Sequence, residues 1–146
     1  MITSWFTLSK CADYINKRYS NALLERCITY RKNELRLIFR DDKPLIVHLG
    51  TPFHYILPAS FPVSERQQSV RIFPKLDNTL LKSVRILPGE RILTFRFGDK
   101  SCLHVLLFGN RGNVLYHSGE KHTFFKKTRD TDIGDLLEGN EATFSS

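Results

Sequence analysis

Apolar side chains recur at steps of three and four along the first twenty residues. This spacing places them on one face of a helix, at Trp5, Leu8, Ala12, Ile15 and Tyr19. Thr3 and Ser4 precede this face, and either is a suitable N-cap. The pattern therefore predicts an amphipathic helix at the start of the chain.

After about residue 21 the apolar period changes to alternation, which is typical of strands. Leu35, Leu37 and Phe39 alternate with the segment's basic residues, so one face of this strand is expected to be buried and the other largely basic. The predicted strands cover residues 25–30, 34–40, 45–49, 53–57, 82–87, 91–97, 101–108, 113–117 and 122–127. A capping box at residues 64–67 predicts a short second helix that ends at Pro74.

Strands at intervals of about 8–12 residues are typical of a sandwich or barrel. The sequence therefore predicts an α+β fold that is mainly β, with two sheets and flanking helices. A length of 146 residues favours one domain. We place this domain at residues 1–120, and we expect residues 121–146 to form a basic, then acidic, poorly ordered tail or linker.

Charge is divided unevenly along the chain. The net charge is +7, but the last 17 residues carry five acids and no base, so residues 1–129 carry 22 bases and 10 acids. A basic body attracts polyanions, chiefly through phosphate contacts and counterion release. No apolar run approaches the ~20 residues of a membrane helix, and the N-terminus lacks the layout of a signal peptide. Three cysteines without CxxC spacing favour reduced thiols, and we expect a cytoplasmic protein.

Motifs of catalysis are missing from the sequence, which has no GxGxxG, P-loop, HExxH or GxSxG pattern. His104 and His117 fall on predicted neighbouring strands, but no further Cys, Asp or Glu is evident in register, so no metal site is predicted. Cys11, Cys27 and Cys102 are interpreted as small packing residues. We expect a non-enzymatic protein without a cofactor, a small-molecule substrate or a membrane partner.

Basic side chains in the 25–40 hairpin and at a later strand are the candidate phosphate contacts: Arg31, Lys32, Arg36, Arg40 and Arg91. Exposed aromatic side chains beside them could stack on unpaired bases. The alternative interpretation is that most of these cations are only solvated and that most aromatic side chains pack in the core.

Two segments also resemble a known family. Residues 109–116 (GNRGNVLY) are similar to its glycine, loop, Asn and aliphatic strand, and residues 90–92 (ERI) are similar to its acidic-Arg-aliphatic step. In their order and spacing over about residues 4–120, these segments and the first helix and strands resemble the first part of the NFACT-N domain. This domain is also called the N-terminal domain of the fibronectin-binding protein A family.

The resemblance implies a sandwich like the N-terminal domain of formamidopyrimidine-DNA glycosylases. Full-length family members bind large ribosomal subunits carrying stalled peptidyl-tRNA, and some recruit tRNA to extend the nascent chain. The implied partners are therefore tRNA or the large ribosomal subunit, in ribosome-associated quality control. The resemblance adds Glu90, Arg111 and Asn113 to the candidate RNA contacts, although the family usually has Asp where Glu90 stands.

Two other functions compete with RNA binding. A protein-interaction module would recruit its partner at an exposed strand edge, as the family's fibronectin-binding label suggests. A glycosylase-like enzyme is the remote alternative, because those enzymes use an N-terminal Pro amine followed by Glu, whereas this chain begins Met1-Ile2-Thr3. Phosphate binding should weaken steeply with salt, and strand addition should not.

Overall fold

The computed structural model describes residues 5–31, 33–49, 54–59, 69–87, 91–107 and 112–126. These segments form one α-helix, ten strands and a single 3-10 turn at Pro74–Leu76. In chain order the elements are α1 (Trp5–Tyr19), β1 (Leu23–Arg31), β2 (Glu34–Phe39), β3 (Leu45–His48), β4 (Tyr55–Pro58), β5 (Val70–Ile72), β6 (Thr79–Ile86), β7 (Ile92–Phe97), β8 (Cys102–Leu106), β9 (Asn113–Ser118) and β10 (Lys121–Phe124).

All of the strands are antiparallel and form a single path, β10-β9-β8-β7-β6-β1-β2-β3-β4, with β5 paired to β1 beside it. The link between β1 and β6 is short, since only Leu23 and Leu24 pair across it. We call β1–β5 the first half-sheet and β6–β10 the second half-sheet. Both contribute to one apolar core, as Leu37 and Phe95 illustrate, so the path folds over into a sandwich. The predicted mainly-β α+β class is confirmed.

Helix α1 packs beside β6 and carries the predicted apolar face. Leu8, Ala12, Ile15 and Tyr19 are all buried in the core. Asn16 also reaches the backbone of Val84, because its Oδ1 accepts from the Val84 N–H at 2.6 Å and its Nδ2 donates to the Val84 carbonyl. The helix thereby covers a part of the β6 edge that does not pair with β1. It protects the backbone groups of this edge from pairing with a strand of another chain.

Two expectations from the sequence need correction. Val70–Ile72 is strand β5, not the end of a helix, because these residues pair with Cys27–Thr29 of β1. The remainder of that predicted helix, residues 64–68, lies outside the described residues. The boundary at residue 120 is too early, because β10 pairs with β9 and Phe125 packs against the core. Residues 127–146 of the expected tail lie outside the described part of the chain.

None of the helical segments that the structure describes is long and apolar enough to cross a membrane.

Candidate nucleic-acid interface

The two half-sheets meet at one end of the sandwich. The Lys126 Nζ lies 3.2 Å from the Asn33 Oδ1 and 3.3 Å from the Leu49 carbonyl oxygen, which joins the end of β10 to the β1–β2 turn and the end of β3. We call this region the hairpin end and define it by Arg31, Asn33, Leu49, His54, Arg91, Gly112, Asn113 and Lys126. It is formed by turns and strand termini, where side chains are free to project without disturbing the ladders.

Gly112 and His54 lie close together at the hairpin end. A Cβ atom built on Gly112 would lie 2.7 Å from two ring atoms of His54 and 3.3 Å from the Leu106 carbonyl oxygen. His54 is itself buried, with 6% of its surface exposed, so its ring has little room to move. The lack of a side chain at Gly112 therefore lets the two half-sheets close on each other.

Replacing Gly112 tests this close approach. We expect Gly112→Ala to lower the free energy of unfolding by about 1–3 kcal/mol, because the added methyl group overpacks a well-filled site. Gly98→Ala is the matched control, since its Cβ would lie 3.4 Å from the flexible end of Lys82. Denaturant unfolding would measure both variants, and equal stability for the two would contradict this role of Gly112.

Asn113 is a buried side chain that connects β9 to the end of β10. Only 2% of its surface is exposed. Its Nδ2 donates to the Lys126 carbonyl at 3.0 Å, and its Oδ1 accepts from the Lys126 N–H at 2.9 Å and from the Val114 N–H at 2.8 Å. The structure therefore gives Asn113 a structural role in place of the expected RNA contact, because its amide is already occupied and buried.

Two of the expected phosphate contacts are exposed at the same end of the sandwich. Arg31 is the last residue of β1 and is exposed beside Asn33. Arg91 is also exposed. Its carbonyl accepts a hydrogen bond from the Leu107 N–H, so Arg91 lies one position beyond the row of paired residues Ile92, Leu106 and Asn113. Three strand spacings separate β7 from β10, so Arg91 lies about 14 Å along this end from the strand that leads to Lys126.

Arg36 lies one step inward, on the outer face of the first half-sheet. Its Nε is 3.1 Å from the Glu34 Oε1, and its guanidinium lies over the Tyr30 ring at 5.1 Å. On the same face, Ile28 of β1 pairs with Arg36 on one side and with Arg71 of β5 on the other. Two cations and an aromatic ring therefore share this face.

The other expected contacts do not join this group. Arg40 is exposed just beyond the far end of β2, where its N–H donates to the Leu23 carbonyl, a strand length from Glu34. Lys32, Glu90 and Arg111 lie outside the described residues.

The placements of Lys126 and Arg71 were not predicted from the sequence. Lys126 reaches the hairpin end because β10 runs along β9 and ends beside the β1–β2 turn, and Arg71 reaches the outer face through the pairing of β5 with β1. Both placements depend on contacts between residues far apart in sequence, which local patterning does not encode.

Cys27 lies in the apolar core and Cys11 packs against it, whereas Cys102 is half-buried and pairs with Arg96 across β7 and β8. Burial raises the pKa of the Cys11 thiol to about 11 and also raises the pKa values of the Cys27 and Cys102 thiols. All three are therefore protonated near neutral pH and poorly nucleophilic. Among the residues that the structure describes, no group of three His, Cys, Asp or Glu side chains could hold a metal ion.

The fold places this chain in the class of two-layer antiparallel sandwiches with an N-terminal helix. No family model matches the sequence. No curated protein matches it either. Among solved structures, the chain is similar to the N-terminal domain of the fibronectin-binding protein PavA from Streptococcus pneumoniae, with a TM-score of 0.70 and 16% identity over 85% of this chain and 54% of that one.

A second similar structure is the N-terminal part of the fibronectin/fibrinogen-binding protein FBPS from Streptococcus suis. The TM-score is 0.68, with 14% identity over 81% of this chain and 51% of that one. The chain thus spans about half the length of both neighbours. The resemblance to the NFACT-N domain is confirmed at the level of the fold.

Proposed function

We propose that this chain is a non-enzymatic RNA-binding module whose hairpin end contacts phosphates. The observation that carries the proposal is the exposure of Arg31 and Arg91, from different half-sheets, at one end of a strongly basic sandwich. Lys126 lies at the same end, and Arg36 and Tyr30 lie on the adjoining sheet face.

This arrangement suits an extended polyanion more than a single small anion. The cations of the hairpin end are distributed over several strand spacings, so consecutive phosphates of one RNA strand can each meet a separate side chain. The Arg36–Tyr30 pair on the adjoining face offers a ring and a guanidinium plane for stacking on an unpaired base. The resemblance to the NFACT-N domain makes tRNA and the large ribosomal subunit the RNA partners to test.

Charge reversal at the hairpin end is the test. We expect Arg31→Glu combined with Arg91→Glu to weaken binding to tRNA and to large ribosomal subunits. Each lost contact with single-stranded RNA should also reduce the slope of log K against log salt by about 0.7, or about 1.4 for the pair. Fluorescence anisotropy of labelled tRNA across a salt series would measure both quantities.

The matched control is Arg40→Glu combined with Lys43→Glu. It changes the net charge equally, at exposed positions beyond the opposite end of β2. We expect this control to lose much less affinity and to keep most of the salt slope. Equal losses in the two double variants would contradict the assignment to the hairpin end, and wild-type protein that binds no RNA would contradict the proposed function itself.

Protein binding by strand addition is the second candidate function. Strand β4 ends the sheet path and pairs only with β3 among the described strands, and Leu57 on it is 40% exposed. The solved neighbours are named for binding fibronectin and fibrinogen. Fibronectin binding at this edge should change little with salt and should be lost in Leu57→Lys, while RNA binding stays unchanged. Salt-sensitive capture, or capture that Leu57→Lys does not affect, would exclude β4 as the edge used.

A further inference from the structure

The outer face of the first half-sheet carries two stacks of flat side chains. In the first, the Arg36 guanidinium lies over the Tyr30 ring at 5.1 Å. In the second, His48 of β3 pairs directly with Tyr55 of β4, and the two rings are 4.7 Å apart between centroids and 12° from parallel. His48 also pairs with Glu34, which lies two positions before Arg36 on β2, so both stacks are on the same face.

We call Tyr30, Arg36, His48 and Tyr55 the stacking face. All four side chains are half-buried, and none of them belongs to the apolar core of the described residues. The first stack lies over β1 and β2 and the second over β3 and β4, so two strand spacings, on the order of 10 Å, separate them. Two separate positions of this kind suit two bases of one strand better than a single small ring compound.

We propose that the stacking face binds unpaired bases of single-stranded RNA. Unpaired bases can stack on aromatic side chains and on guanidinium planes, whereas the faces of paired bases are covered by their neighbours in the duplex. The inference rests on the proposed function, because the hairpin end supplies the phosphate contacts. It adds a second stacking position at His48 and Tyr55 and assigns the unpaired base as the group that this face recognises.

The stacking face is continuous with the hairpin end. Arg31, an exposed cation of that end, pairs with Glu34, and the same row of paired residues continues through His48 to Tyr55. An RNA strand with a phosphate at Arg31 can therefore lay its next bases along this row. The sequence did not reveal the row, because Tyr55 is connected to Arg31 only through the register of four strands.

The acidic groups near the stacking face are paired with arginines. The Glu34 Oε1 lies 3.1 Å from the Arg36 Nε, and the Asp77 Oδ2 lies 3.4 Å from the Arg71 Nη1. These ion pairs neutralise the two carboxylates that would otherwise repel a phosphate. The exposed Arg31 then gives this side of the face a positive charge, which is complementary to an RNA backbone.

RNA strands with and without bases test the stacking face. The full chain is titrated with a short labelled single strand, with the same strand paired to its complement, and with an abasic strand of equal length. The abasic strand keeps the phosphates, so only contacts with bases are lost. We expect the wild type to bind the base-bearing single strand at least about tenfold more tightly than the abasic strand, because stacking commonly contributes this factor for each base.

Substitutions of Tyr55 locate the contact. Tyr55→Leu should weaken binding to the base-bearing single strand by about tenfold. It should leave binding to the duplex and to the abasic strand unchanged, which also shows that the variant is folded. Tyr55→Phe keeps the ring and should bind like the wild type. Tyr14→Leu is the matched control, because Tyr14 is 45% exposed on α1 and lies outside the stacking face.

The contrary results separate this inference from the proposed function. Equal wild-type affinity for base-bearing and abasic strands, or equal effects of Tyr55→Leu and Tyr14→Leu, would overturn the stacking face and leave the phosphate contacts of the hairpin end in place. A loss in Tyr55→Leu that is the same for all three RNAs would overturn it as well, because Tyr55 would then not act through bases. Wild-type protein that binds none of the three RNAs would overturn the proposed function itself.

Discussion

Acidification is expected to destabilise this protein steeply through one buried histidine. His104 on β8 is 1% exposed, and its Nδ1 lies 3.0 Å from the Thr94 Oγ1 of the neighbouring strand. Burial is the largest cause that lowers its pKa from 6.5 to about 3, and the nearby His117, His122 and Arg96 contribute to this shift in the same direction. The folded chain therefore keeps this imidazole neutral at a pH where the unfolded chain protonates it.

The sign of the effect follows from the protons bound in each state. Between pH 6.5 and about 3 the unfolded chain binds one more proton at His104 than the folded chain does. Stability that is fully present above pH 6.5 is therefore lost as the pH falls through this window. At 1.36 kcal/mol per pKa unit, the loss reaches about 5 kcal/mol, which is comparable to the whole stability of many small domains.

Denaturant unfolding across a series of pH values would measure this loss. We expect His104→Gln to flatten the decline below pH 6.5, because glutamine can still bond to Thr94 but does not titrate. Thr94→Val is the control, since it removes the hydroxyl and leaves the titrating ring, so its curve should be lower but equally steep. A His104→Gln curve parallel to that of the wild type would show that other groups cause the acid sensitivity.

Alternation of apolar residues was sufficient to predict most of the strands. β2 and β3 each carry one core face, and their register follows directly from Leu35, Leu37 and Val47. The central strands of the second half-sheet behave differently, because Leu106 and Leu115 form a second apolar cluster on the outer face. Burial on both faces gives a continuous apolar run, from which a strand can be predicted but its orientation cannot.

The candidate site was less predictable than the strands. Arg31 and Arg91 were expected as contacts from charge and resemblance, but their placement at one end depends on the folding of the sheet path. For Asn113 the residue was singled out but its role was not predicted, because a polar residue in a glycine-rich loop motif can equally bind a ligand or fix the chain. Only its burial and its three bonds to backbone groups distinguish the two roles.

Removing the Asn113 side chain is expected to lower the stability of the protein strongly. Asn113→Ala would leave the Val114 N–H and both backbone groups of Lys126 without their partner. A buried polar group left without its partner costs about 1–3 kcal/mol. Water can reach Lys126 but not the buried Val114. We therefore expect the free energy of unfolding to fall by about 3 kcal/mol.

Two further variants separate the backbone bonds of Asn113 from other effects. Asn33→Ala is the matched control. Within the described segments the Asn33 amide oxygen accepts from the exposed Lys126 Nζ, and loss of this bond should cost less than about 1 kcal/mol. Asn113→Asp keeps the acceptor for both N–H groups but loses the donor to the Lys126 carbonyl, so its stability should fall between Asn113→Ala and the wild type at neutral pH.

Hydrogen exchange should then show the β10 amides opening before the rest of the second half-sheet in Asn113→Ala, because β10 pairs only with β9 among the described strands. If β10 stays protected to the level of β8 in this variant, Asn113 does not hold the strand in place, and its burial reflects packing alone.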